Sequence, residues 1–325
     1  MKNKIIQFLK ESDDYLSGEE ISRKLNVSRA GIWKNIEELR KTGYGIDAIS
    51  HKGYILTSTP DKLLPQEIKT GLNTKILGKE VVYYESVDST MKAAFKYGLD
   101  GCAEGLVVCA EEQTAGKGRL GRKWQSPKSK GIYMSLVLRP QLVATDVAKL
   151  TLLTGVAVYE AIKKVADIDI KIKWPNDLLV GKHKVCGILT ELHAEMERVK
   201  FVVIGIGINV NNDIEELLPE ATSIKQESKN TVSRIKIVQE ILRSMELWYG
   251  VVQDQGFAPV LQKWNEYAST INKRIQIQDV EGEAIGLDEY GGLMIRTDEG
   301  IVVRRMSMLW SYRRTVNYGK YFVYY

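Results

Sequence analysis

The sequence predicts an α+β protein in three parts: a helix-turn-helix with a β-hairpin behind it, a central β-sheet with flanking helices, and a small all-β C-terminal piece. Three observations carry this. Two capped helical segments separated by a three-residue turn open the chain, a pattern that builds a helix-turn-helix. Apolar strand runs interleaved with long helical stripes fill the middle. Beyond Ile271, Gly-containing turns (Glu281-Gly282, Gly291-Gly292, Glu299-Gly300) recur about every nine or ten residues, the rhythm of a small barrel or sandwich. The breaks fall at Ser58-Thr59-Pro60-Asp61, where Pro disfavours helix in the residue before it, and near Ile271. They divide the 325 residues into 1–62, 63–268 and 269–325.

In the first part, Ile5, Ile6 and Leu9 lie at helical spacing. Ser17-Gly18-Glu19-Glu20 reads as a capping box that opens a helix through Ile21 to Leu25. Asn26-Val27-Ser28 makes the turn, and Ser28 caps a second helix from Arg29 to Thr42 that stops at Gly43. Ile46, Ile49, Tyr54, Ile55 and Leu56 flank His51-Lys52-Gly53 as a hairpin, the wing of a winged helix. In such a unit the early residues of the second helix meet base edges, so Ser28, Arg29, Trp33 and Lys34 are DNA-contact candidates. Lys52 at the wing tip would meet a phosphate. The surplus of two basic residues in this part also suits a protein-docking winged helix. A small unit binds two half-sites better than one, so a dimer is implied.

In the second part, Gly116-Lys117-Gly118-Arg119-Leu120-Gly121 matches G-x-G-x-x-G. A strand precedes it (Leu106 to Ala110), but another strand (Gly131 to Leu138) follows, and a dinucleotide site needs a helix there. The Rossmann reading is therefore rejected. The loop still suits an anion: Gln113 to Thr145 holds seven basic residues (Lys117, Arg119, Arg122, Lys123, Lys128, Lys130, Arg139) and no acidic one. Glycines let backbone N–H groups approach an anion closely, and Trp124 offers a face for a purine. A solvated surface loop is the alternative. Lys173-Trp174-Pro175-Asn176-Asp177 turns between strands, ahead of Leu178 to Val180 and Val185 to Leu189. The glycines of Gly205-Ile206-Gly207-Ile208-Asn209, within a strand from Val202 to Val210, mark places where a ligand lies against the sheet. Asp88-Ser89-Thr90 opens a helix that stops at Gly98. Helices from Asp146 to Val165 and from Ser233 to Trp248 carry core stripes.

Composition narrows the class. Hydrophobic residues make up 44% and charged residues 27%, enough for an ordinary globular core. The net charge of +5 divides as +2, +2 and +1 over the three parts, so no part is a basic tail. Three cysteines (Cys102, Cys109, Cys186) make no disulfide framework, and with His51, His183 and His193 but no C-x-x-C they make no zinc site. His183 and His193 read as surface residues of a hairpin, and Cys186 as a small buried one. No apolar run suits a signal peptide or a membrane span, which reads as a cytoplasmic protein without a membrane partner.

Taken in order, Asp88-Ser89-Thr90, Gln113, Gly116 to Trp124, Lys173 to Asp177, Lys184 with Gly187-Ile188-Leu189, and Gly205 to Asn209 resemble the biotin–protein ligases. With the winged helix in front, the chain is similar to the bifunctional bacterial enzymes that are also biotin operon repressors. The resemblance runs from about residue 1 to residue 305. It implies a winged helix, a class II synthetase-like mixed sheet with flanking helices, and an SH3-like C-terminal barrel. It further implies that biotin and ATP, with Mg²⁺, give biotinoyl-5′-AMP, and that a lysine of a carboxylase's biotin-carboxyl-carrier domain then attacks the anhydride. Carried over by position, Ser89, Thr90, Gln113, Gly187 and the Gly116 and Lys117 backbone hold biotin. Arg119, Arg122 and Lys184 neutralise carboxylate and phosphate. Trp124 covers adenine, Asn209 reads its edge, and Lys173 and Asn176 face the adenylate. Asp177 orients Mg²⁺ or the attacking lysine, unless it only stabilises the turn. No metal ligand set is implied. The adenylate would order the glycine loop and favour a homodimer that binds operator DNA.

One departure stands out. The family's last barrel strand usually begins with Gly-Glu, and here the aligned Met308-Leu309-Trp310-Ser311-Tyr312-Arg313 lacks that pair. Arg313 is a candidate for ATP or carrier contact. The tail holds Tyr312, Tyr318, Tyr321, Tyr324 and Tyr325. Two other readings compete: a biotin-sensing repressor without ligase activity, and a lipoate ligase, whose usual double-Arg, triple-Gly loop is absent here.

Overall fold

The computed structural model describes residues 1–195 and 198–306 with their side chains, and 308–313 and 318–323 as backbone. It forms two compact units, Met1–Lys62 and Leu63–Tyr325.

The first unit contains α1 (Lys2–Lys10), α2 (Gly18–Leu25), α3 (Arg29–Lys41) and the hairpin β1 (Gly45–Ile49) with β2 (Gly53–Ser58). Ile5, Ile6, Leu9, Ile21, Ile32, Ile36 and Leu39 are buried between the helices, as their spacing requires. Ser17 Oγ accepts the Glu20 N–H at 3.0 Å, but the Glu20 carboxylate pairs with Lys24, so only half of the expected capping box is made. Asn26 takes the left-handed conformation (φ 54°) that ends α2, and Ser28 Oγ accepts from Gly31 N to start α3. At Gly53 (φ +122°) a Cβ would lie 2.0 Å from the Leu16 carbonyl oxygen, so only glycine lets the wing bridge to Leu16.

In the second unit, a mixed sheet runs in the order β15-β14-β8-β9-β5-β4-β3. Its strands are β3 (Val81–Tyr84), β4 (Val107–Ala110), β5 (Ile132–Leu138), β8 (His183–Glu195), β9 (Arg198–Ile208), β14 (Met308–Arg313) and β15 (Tyr318–Val323). A side hairpin, β6 (Ile170–Lys173) with β7 (Asp177–Val180), joins through β7 to β8. The β3–β4 and β8–β14 pairs are parallel and the others antiparallel. Helices α4 (Pro65–Lys69), α5 (Thr90–Leu99), α6 (Lys149–Ala166), α7 (Ile224–Ser228), α8 (Arg234–Gln255) and α9 (Ala258–Tyr267) surround it. The two long stripes are there with shifted ends. A 3₁₀ turn, Ala144–Asp146, occupies the expected start of α6, and α8, capped by Ser233 Oγ, runs past Trp248. One large apolar core joins α6, α8 and α9 to one face of the sheet, and a smaller one packs α5 on the other face of the same strands.

The strands β10 (Arg274–Ile277), β11 (Val280–Leu287), β12 (Leu293–Thr297) and β13 (Gly300–Arg304) form a separate antiparallel sheet that fits a barrel. Met308–Arg313, expected to close that barrel, instead pairs beside β8 of the central sheet. Tyr324 and Tyr325 lie outside the described residues, as does the Arg313 side chain. His193 corrects the surface reading: it is 6% exposed and packs against Phe95 and Phe201, while His183 is exposed and Cys186 is buried as expected.

A fully buried ion pair joins Arg234 at the start of α8 to Glu111 just after β4, 2.8 Å apart with neither side chain exposed. Glu111 also accepts the Leu63 N–H at 2.8 Å, and Arg234 donates to the Gly131 carbonyl at 3.1 Å. Removing one partner of such a pair strands the other charge in the core. Arg234→Met should therefore lower unfolding stability by about 3–5 kcal/mol in a urea titration. A loss below about 1 kcal/mol would show that water reaches the site.

Candidate active site

In the first unit, α3 and the wing leave the DNA-contact candidates in solvent. Ser28, Arg29, Lys34 and Lys52 are exposed, and Trp33 is 59% exposed, unusual for so large an apolar group. Arg29 is paired with Glu19, and Lys52 lies 6.0 Å from the Tyr15 ring centre. Ser28 is committed to capping α3.

The second unit carries a cleft of about 570 Å³. Its lining includes Ser89, Thr90, Gln113, Lys117, Arg119, Arg122, Trp124, Lys173, Asn176, Asp177, Lys184, Gly187 and Asn209, which the sequence had scattered over 121 positions. Gly116 is not in the lining. It is buried behind it, where its carbonyl accepts the Trp124 N–H at 3.0 Å and a Cβ would lie 2.7 Å from the Trp124 carbonyl. The loop opens no helix: a single 3₁₀ turn, Arg119–Gly121, sits between β4 and β5.

One end of the cleft is neutral. Thr90, the first residue of α5, donates both its N–H (2.9 Å) and its hydroxyl (3.1 Å) to Gln113 Oε1. Ser135 of β5 donates to Thr90 Oγ1 at 2.9 Å, and Gln113 Nε2 donates to Ser126 Oγ at 3.0 Å. Gln113 thus caps α5 from another segment, while the Asp88 carboxylate accepts only from Ser89 N and pairs with Lys92. Ser135 escaped the sequence reading. Its signal was a serine in the fully buried run Ile132–Leu138.

The other end is cationic. Among the described residues, the lining has seven basic side chains (Lys117, Arg119, Arg122, Lys123, Lys173, Lys182, Lys184) against two acidic ones, Asp177 and Glu220. Arg119 Nη1 donates to Asn176 Oδ1 at 3.0 Å, and burial pushes its pKa down from the usual guanidinium value, opposed by Asp177. Lys184 Nζ lies 2.6 Å from Asp177 Oδ1, an ion pair without hydrogen-bond alignment. Asn176 Nδ2 donates to the Ile188 carbonyl at 2.9 Å, which pins the Pro175-Asn176-Asp177 turn to β8.

Trp124 lies between the two ends. A Cβ at Gly207 would be 2.6 Å from the indole, and one at Gly187 would be 3.1 Å from it; these paired positions of β8 and β9 form a bare floor. At Gly205 the corresponding gap is filled by the Met91 sulfur. The chain's own side chains therefore lie where the glycines suggested a ligand. The Trp124 indole N–H is buried without a partner, and Lys184 sits 5.5 Å over the ring. Asn209 points its amide N–H inward to the Thr222 carbonyl at 3.1 Å. The stretch from Leu217 to Ala221, unnoticed in the sequence, completes the wall, with Lys184 N–H bonded to the Glu220 carbonyl.

Asn176→Ala removes the acceptor that holds Arg119. Because the loop is rich in Lys and Arg, limited trypsin digestion should cut between Lys117 and Lys123 about fivefold faster in this variant, since local opening sets the rate. An unchanged rate would show that Asn176 does not hold the loop.

Comparison with known proteins gives the family. The model of the Biotin/lipoate A/B protein ligase family matches residues 83–209, an HTH domain matches 2–55, and the Biotin protein ligase C terminal domain matches 270–319. The bifunctional ligase/repressor BirA of Bacillus subtilis (strain 168) is 41% identical over 308 residues, covering 92% of this chain and 95% of that protein. The protein of the same name from Escherichia coli (strain K12) is 30% identical, covering 89% and 90%. The solved biotin protein ligase from Aquifex aeolicus in complex with biotin and ATP is 29% identical with a TM-score of 0.61, covering 69% of this chain and 95% of that one. The chain belongs to the biotin–protein ligase family, alongside its bifunctional ligase/repressor members.

Proposed function

We propose that the chain adenylates biotin with ATP, transfers biotin to a lysine of a biotin-carboxyl-carrier domain, and represses biotin genes as an adenylate-bound dimer. The observation that carries the catalytic part is the make-up of the cleft: a neutral hydrogen-bonded cluster around Thr90 and Gln113 shares one lining with Trp124 and seven basic side chains. Biotin is a neutral ring system with a carboxylate tail. Its head belongs at Ser89, Thr90, Gln113 and Gly187, with the Lys117 backbone beside it and Gly116 holding the loop from behind. Its tail then reaches Arg119 and Lys184.

In the first step a biotin carboxylate oxygen attacks the α-phosphorus of ATP, and pyrophosphate leaves. In the second the lysine ε-amine attacks the acyl carbon, AMP leaves, and an amide forms. Neither step needs an enzyme nucleophile. The first needs two anions held in line and their charge offset, the second needs a neutral amine held against the acyl carbon, and both need water kept out. Arg119, Arg122, Lys173 and Lys184 offset that charge. Asn176 orients Arg119, and Asp177 orients Lys184. Trp124 stacks on adenine with Asn209 behind it. Mg²⁺ enters on the ATP phosphates, as part of the substrate complex. A hard cation of this kind takes one or two carboxylates beside phosphate oxygens; Asp177 in the cleft lining would supply one, and the ion would offset phosphate charge. The four-stranded C-terminal sheet, as an SH3-like barrel, would meet ATP and the carrier. Ser28, Arg29, Trp33, Lys34 and Lys52 would meet operator DNA.

Lys184→Ala should slow biotinoyl-AMP formation by about a hundredfold, with the melting temperature within a few degrees of the parent. A normal rate would remove Lys184 from the chemistry. Mass spectrometry of a carrier domain incubated with the protein, biotin and Mg-ATP should show a biotin-sized gain. A gain from lipoate instead, or none, would overturn the ligase reading. Titration of operator DNA should tighten at least tenfold when biotin and ATP are both present. Equal affinity without them would remove the switch.

A further inference from the structure

We propose that Trp174 is a positioning residue through which the turn between β11 and β12 of the C-terminal sheet sets the geometry of Arg119 in the cleft. The inference rests on the ligase reading only for its kinetic consequence. The structural connection stands by itself.

The turn is held from both sides. Trp174 Nε1–H donates to the Gly291 carbonyl at 3.2 Å, and Lys149 Nζ of α6 donates to the Glu289 carbonyl at 3.2 Å. Lys149 is itself nearly buried, 2.9 Å from Asp146 and 4.7 Å above the Phe257 ring. Gly291 has φ +80°, and a Cβ there would lie 2.8 Å from Leu152 Cδ1, so the turn lies hard against α6. Internally it is rigid: the Asp288 carboxylate accepts from Tyr290 N (3.0 Å) and Gly292 N (2.7 Å) and pairs with Arg305 at 2.6 Å.

On its other side Trp174 belongs to the cleft, whose wall it lines. Two residues on, Asn176 holds Arg119 with its oxygen and β8 with its nitrogen. The strand before Trp174 is equally fixed, since Ser269 N–H donates to the Ile172 carbonyl at 2.8 Å. The 174–177 turn is thus anchored at Ile172, at Gly291 and at Ile188, and Arg119 hangs from its middle. Of these anchors, only the Gly291 contact comes from the C-terminal sheet. A shift of the β11–β12 turn would move the indole, then Asn176, then the guanidinium. A packed, hydrogen-bonded connection of this kind transmits displacement because close-packed groups do not deform independently.

Trp174→Phe removes the N–H donor and keeps an aromatic ring. Hydrogen exchange of the full chain without ligands should accelerate about fivefold or more both at residues 288–292 and at 117–124, with α3 unchanged. Lys149→Met, which frees the same turn from the side away from the cleft, should accelerate both segments too. Acceleration confined to 288–292 in both variants would overturn the proposal. In the kinetic arm, Trp174→Phe should lower kcat for biotinoyl-AMP about tenfold with KM for biotin within about twofold, the pattern of a misplaced group rather than a lost contact. An unchanged kcat would overturn the link to Arg119. If the parent protein forms no adenylate, the ligase reading fails and the exchange arm alone decides the connection.

Discussion

The second unit depends on the buried pair between Glu111 and Arg234. Ionised groups lose several kcal/mol of hydration when buried, so the pair is tolerable only with every remaining lone pair and proton used. Here the Leu63 N–H and the Gly131 carbonyl share that task. The consequence is geometric. Residues 111 and 131 are the two ends of the glycine loop, and Arg234 is the first residue of α8. One contact therefore clamps the base of the loop, the entry of the chain into the unit and the longest helix to a single point.

Above that clamp the loop is permissive. Its internal hydrogen bonds, Gly118 N–H to the Arg122 carbonyl and Trp124 N–H to the Gly116 carbonyl, bind it to itself, and Leu120 sits exposed at φ 55°. Arg119 ties the tip of the loop outward to Asn176, while nearer its base the Thr114 and Ala115 N–H groups donate to the Val87 and Asp88 carbonyls. Under the proposed function, a rigid base and a side-chain latch suit a segment that closes over an adenylate and opens again for the carrier lysine. The same division separates the neutral end, built on β4, β5 and α5, from the cationic end, built on the loop and on β6 to β8. Opposite charge is kept at hand as well: Asp177 holds Lys184, so the cation does not wander before an anion arrives.

Local chemistry was legible where residues act on their neighbours. Ser17, Asn26 and Ser28 marked the first helices because capping is a contact over three residues. The G-K-G-R-L-G-R-K-W and K-W-P-N-D stretches marked the cleft because both combine charge with turn residues. The helix ends were less legible. Gln113 caps α5 from 23 positions away, a contact no local pattern encodes. His193 was misread because alternation in a hairpin does not reveal that α5 covers that face with Phe95.

By itself the sequence determined the winged helix, the mixed central sheet, the order of the motifs and the resemblance that names the chemistry. The winged helix and the order of the motifs follow from periodicity, turn residues and short-range hydrogen bonding, whereas the mixed sheet and the chemistry were implied by the resemblance. Tertiary structure alone decided which groups meet. It joined Glu111 to Arg234, seated the Trp124 indole on the floor that Gly187 and Gly207 leave bare, hung Arg119 on Asn176, and ran Met308–Arg313 along β8 instead of closing the small sheet. The physical reason is separation along the chain. Partners dozens of residues apart are chosen by packing and by the need to satisfy buried polar groups, and neither constraint acts until the core has closed.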